Sequence, residues 1–184
     1  MKKLLITALA CLLVMAFSSQ ASAALIAGSQ AYAATNLSAT INFNVYAPGD
    51  PDGDSPLGSI ADYAYFYQIN NNAGSLGLSQ FTVGNPTGAP ITGTGNHAGV
   101  AANPITIATD GTIYSYFNPT IAASGTSTIY LTSPWQPYMV SGSLISSGGS
   151  SDYHPIPGPG IPEPMSISLL GMGILGLLGF KRKF

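Results

Sequence analysis

Between residues 24 and 152, polar and apolar side chains alternate along much of the chain. Leu37, Ala39, Ile41, Phe43 and Val45 fall on one side of an extended segment, with Ser38, Thr40, Asn42 and Asn44 on the other. Tyr63, Tyr65, Tyr67 and Ile69 form a second face of period two, beside Ala64, Phe66 and Gln68. Two residues is the repeat of a strand, and no stretch of this region sustains the 3.6-residue repeat of an amphipathic helix. The runs 105–109 and 112–117 flank Asp110 and Gly111, a dipeptide suited to a two-residue type I′ hairpin. Further strands are expected at 25–33, 76–83, 126–132 and 138–145, with loops at 85–104 and 146–151. Seven or eight short strands separated by turns predict an all-β fold, an antiparallel β-sandwich of Ig-like or jelly-roll-like type. About 130 residues can bury a workable core without covalent staples.

The two ends break this pattern. Lys2 and Lys3 precede an apolar run over residues 4–17, and Ala21, Ser22 and Ala23 form a small-x-small cleavage site. This is the layout of a secretory signal peptide spanning 1–23, with Ala24 as the new N-terminus after cleavage at Ala23. At the other end, residues 165–180 are apolar except for Ser166 and Ser168, and Lys181, Arg182 and Lys183 follow. Sixteen helical residues reach about 24 Å, marginal for a hydrocarbon core of ~30 Å. The basic cluster should remain cytoplasmic, leaving the body outside the inner membrane. Residues 153–164 are rich in proline and read as an extended spacer, joining a body at 24–152 to a transmembrane helix and basic tail at 165–184.

Charge narrows the function. Only 7% of residues are charged, and the five basic ones all lie at the termini. The body carries six Asp and no Lys or Arg, a net charge near −6. No surface here can neutralise phosphates, so nucleic acid is excluded as a partner and nucleotide chemistry is disfavoured. The one cysteine, Cys11, falls in the signal peptide, so disulfides do not hold the exported part together.

The C-terminal segment resembles a PEP-CTERM sorting signal. The resemblance rests on Pro162, Glu163 and Pro164, then a short Gly- and Leu-rich helix, then a basic terminus, about 22 residues in all. It implies that the chain is a substrate of an exosortase-type processing enzyme in a Gram-negative bacterium that makes exopolysaccharide. Cleavage at or near the motif would then pass the body from the inner membrane to the outer surface or the extracellular matrix. The stretch from Tyr63 to Asn70, and that from Thr126 to Pro137, also resemble bodies of such proteins broadly, without naming an activity. One decoy lies in the tail, where Gly171, Gly173 and Gly176 spell a dinucleotide fingerprint with no strand before it and no acid after it.

Chemistry-bearing residues are sparse. Between Ala24 and Pro162 there is no Cys, Lys, Arg or Glu, and the imidazoles are His97 in the body and His154 in the hinge that follows it. No catalytic residues are assigned and the chain is read as non-enzymatic. A hydrolase would have to bring Asp62 or Asp110 beside His97. Asp50, Asp52 and Asp54 alternate in one loop and could offer oxygens to calcium, the one cofactor the sequence suggests. The loop departs from an EF-hand, with glycine at position 4 and Ala61 at position 12, and an Asp/Pro/Gly turn accounts equally for its composition. The tyrosine stripe at 63, 65 and 67 and Trp135, beside a proline in an expected turn, are candidate glycan contacts, though tyrosines so spaced more often face a core. The reading favoured is a structural or adhesive protein of the cell envelope or exopolysaccharide matrix. Its alternative is a carbohydrate-binding module.

Overall fold

The computed structural model describes residues 26–49, 55–58, 60–85 and 88–160. Within them the chain forms ten strands and no helix. They are β1 (Ile26–Ala34), β2 (Leu37–Tyr46), β3 (Tyr63–Asn71), β4 (Leu78–Val83), β5 (Gly93–Gly99), β6 (Ala102–Ile107), β7 (Ile113–Ile121), β8 (Thr126–Ser133), β9 (Pro137–Ser146) and β10 (Ser151–Pro159). The fold is all-β, in two five-stranded antiparallel sheets of order β1-β2-β3-β8-β5 and β10-β9-β4-β7-β6.

The alternation in β2 becomes burial of Leu37, Ala39, Ile41 and Val45. On β3 the expected inward face is also realised, with Tyr65, Tyr67 and Ile69 fully buried. The first sheet contributes these residues to the same core as Phe81, Ile113, Phe117, Leu144 and Ile156 of the second. Contacts between the sheets are direct. The rings of Tyr67 and Phe81 lie 5.3 Å apart, and Asn71 Nδ2 donates to the Ile121 carbonyl at 2.8 Å.

Three expectations change. The region 85–104 is not one long loop, because β5 and the start of β6 lie within it. Periodicity could not reveal β5, whose Gly, Thr, Asn, His and Ala residues carry no hydrophobic alternation. Backbone pairing to β8 makes it a strand, and the Tyr130 ring lies where a Cβ at Gly95 would stand. Next, the β6–β7 hairpin does not use a type I′ turn. Only Gly111 has positive φ (+83), Gly111 N–H donates to Ala108 O at 2.9 Å, and Ala108 N–H donates to Thr112 O at 2.9 Å. This is the three-residue hairpin loop in which a type I turn ends on a left-handed glycine.

The third change concerns the Pro-rich segment. It is extended as expected, but β10 builds it into a sheet as far as Pro159, past the body boundary set at residue 152. Proline is tolerated on an edge strand, where one side of the backbone needs no partner. Ile156 is fully buried, and the Tyr67 hydroxyl donates to the Pro157 carbonyl at 2.7 Å.

Candidate functional site

The signal-peptide bond at Ala23 and Ala24, the loop carboxylates Asp50, Asp52 and Asp54, and the motif Pro162, Glu163 and Pro164 lie outside the described residues. Among the described residues, no group of three or more His, Cys, Asp or Glu side chains converges in a way that could hold a metal. Asp62 accepts a hydrogen bond from the Thr92 hydroxyl at 2.5 Å, just ahead of β3. Asp110 caps the β6–β7 turn in the other sheet, accepting from Thr112 N–H at 2.9 Å. His97 stands on β5 at a break in register between Asn96 and Ala98, its ring edge-on to Phe66 at 5.6 Å. Thus His97 belongs to a strand rather than a loop, and its ring contact is aromatic.

Trp135 lies half-buried in the bend between β8 and β9. Its carbonyl accepts from the Tyr65 hydroxyl at 2.6 Å, and its N–H donates to Ser133 Oγ at 3.2 Å. The tyrosines at 65 and 67 face the core and offer no ring to a ligand. Burial pushes both phenols well above their ordinary range, with a smaller push from neighbouring phenols, so they remain protonated donors.

Among the described residues an ionisable cluster forms where β1 meets β10. Asp152 Oδ2 accepts from the Ala33 N–H at 2.8 Å and lies 2.9 Å from His154 Nε2, while Oδ1 accepts from Tyr153 N–H at 2.9 Å. The Ala33 N–H is the main cause that holds the Asp152 carboxyl below its usual range. Burial opposes it, and His154 and the Tyr153 N–H add to it. Tyr32 meets the His154 ring edge-on at 4.9 Å, and burial, with Asp152 nearby, raises its phenol. Asp152 is engaged by the Ala33 and Tyr153 N–H groups and by the His154 ring, and its carboxylate bridges edge strands β1 and β10. Sequence reasoning missed the cluster because it placed 153–164 in a spacer. Read as a strand, residues 152 and 154 fall on one face by the period-two rule.

Aromatic side chains also lie on the outer faces. On the first sheet Phe66 contacts Tyr46, Tyr130 and His97, and this mutual packing leaves Phe66 only 5% exposed. On the second sheet Tyr114 and Tyr116 are near-parallel, with centroids 6.2 Å apart and planes at 12°. Tyr116 and Tyr153 are exposed.

No protein-family model, curated protein or solved structure matches this chain.

Proposed function

We propose that the chain is an exported, non-enzymatic structural or adhesive protein of the cell envelope or exopolysaccharide matrix. Its body is an antiparallel β-sandwich of Ig-like or jelly-roll-like type, and a PEP-CTERM-like tail directs its sorting. The observation that carries this reading is the sequence of features at the C-terminal end, where Pro162, Glu163 and Pro164 are followed by an apolar run and then a basic terminus. The signal-peptide pattern at the opposite end agrees with it. The body adds support, since among the described residues the one Asp–His pair bridges sheet edges β1 and β10.

In this reading an exosortase-type enzyme acts while the tail is in the inner membrane, and the released body travels to the outer surface or matrix. Intact mass and terminal sequencing of the protein from culture fluid and from membranes test it. A species beginning at Ala24 and ending near Pro164 is expected. A sole species that keeps residues 165–184 in the inner membrane would make the chain a permanent anchor and overturn the sorting role. Unchanged matrix cohesion after gene deletion would count equally against the structural role.

A further inference from the structure

The outer face of the second sheet has an arrangement that the sequence alone does not display. Tyr153 on β10 stands opposite Ser143 on β9, Ser143 opposite Thr82 on β4, and Thr82 opposite Tyr114 on β7. In the next row Gln80 stands opposite Tyr116. Ile113, Ser115 and Phe117 are buried, so the alternating Tyr114 and Tyr116 point away from the core. Asp152 and His154 turn toward β1, which leaves Tyr153 on the same outward side. Tyr153 is 63% exposed and Tyr116 38%. Between the tyrosines, Thr82 Oγ1 and Ser143 Oγ are 2.5 Å apart and bonded to each other.

The chemistry of this face selects among partners. Its outward positions carry no Asp, Glu, Lys, Arg or His. An ionic ligand finds no counter-charge here, and a polyanion would also meet the negative charge of the body. A lipid surface or an apolar protein face would strip water from the hydroxyl and amide groups without replacing their hydrogen bonds. A neutral sugar chain satisfies both parts, laying its C–H faces on tyrosine rings and its hydroxyls against Thr82 and Gln80. From β10 to β7 is three strand spacings, about 14 Å, the span of about three sugar rings. The first sheet is less suited, because its central outward ring, Phe66, is covered by Tyr46, Tyr130 and His97 and is almost wholly buried.

We propose that this face binds an uncharged polysaccharide. Tyr153, Tyr114 and Tyr116 stack on the sugars, and the partly exposed Thr82 and Gln80 hydrogen-bond to them, with buried Ser143 holding the Thr82 hydroxyl in place. This names the matrix partner of the protein and rests on the reading above only for where the two meet. The test is affinity electrophoresis of the purified full chain, in a non-glycosidic detergent, through gels containing cellulose derivatives, mixed-linkage glucan, xylan or galactomannan, with alginate as the charged control. Retardation by at least one neutral polymer is expected, weakened at least tenfold by Tyr114→Ala with Tyr116→Ala and measurably by Tyr153→Ser. Trp135→Ala and Tyr138→Ser should bind like the native chain. Should the double variant fail to fold, Tyr153→Ser on the exposed edge strand decides the matter. Retardation by no neutral polymer, by alginate alone, or undiminished in the tyrosine variants overturns the proposal. None of these results alters the terminal masses on which the sorting role is judged, so the two can fail separately.

Discussion

Asp152 ties an edge of one sheet to an edge of the other through a charged acceptor. Charge-assisted bonds of this kind are stronger than neutral ones, though solvent screens the part that is exposed. Its carboxyl titrates below the ordinary range when folded, so its stabilisation is fully present above the unfolded value. That stabilisation disappears as pH falls through the lower folded value. Melting temperatures recorded across the acid range should therefore drop below about pH 4 in the native chain. Asp152→Asn should melt lower at neutral pH and show a shallower acid limb, and identical curves for the two proteins would refute the role. A different residue-scale feature is Ser115, whose buried Oγ has no hydrogen-bond partner among the described residues. Ser115→Ala removes a group that gains nothing from its position. Urea unfolding should show stability unchanged or raised by up to about 1 kcal/mol, and a clear loss would mean that the hydroxyl has an unseen partner.

At the scale of elements, β10 departs most from what its composition suggests. Five prolines in the ten residues 155–164 read as a linker, yet Pro155, Pro157 and Pro159 lie on the edge of a sheet. Ile156 anchors the strand. Ile156→Ala should cost about 2–5 kcal/mol, as for other buried aliphatic truncations, measurable by chemical denaturation. A cost under about 1 kcal/mol would return the segment to the status of a spacer. Strands β2–β4 and β7–β9 were legible because each pairs a buried hydrophobic face with polar neighbours. Strand β5 was not, since its pairing is carried by backbone groups and its glycines make room for a neighbour's ring. The turn at Asp110 shows a similar limit. The dipeptide marked the hairpin correctly, but one more loop residue changed the turn type.

For the molecule as a whole, two antiparallel sheets and a shared core followed from periodicity, whereas the pairing order did not. Partners such as Tyr63 and Ser133 are distant in sequence, and no local pattern specifies which edge a strand joins. The candidate glycan surface was hidden for the same reason. Tyr114, Tyr116 and Tyr153 become neighbours only once β7, β4, β9 and β10 lie side by side, while the more conspicuous stripe at 63, 65 and 67 went largely into the core. Trp135, the other aromatic singled out by sequence, is held by its backbone carbonyl and N–H at a strand connection.

The position of β10 also has a bearing on timing. A chain made from its N-terminus presents β9 before β10 exists, with the seat for Ile156 open and the Tyr67 hydroxyl lacking its carbonyl. Domains fold as units once their contacts are available. The final strand therefore acts as a clasp that closes last. Until it arrives the rest of the body lacks the burial of Ile156 and the Tyr67–Pro157 hydrogen bond. Once it arrives, the two sheets lock together at the edge where Asp152 reaches Ala33.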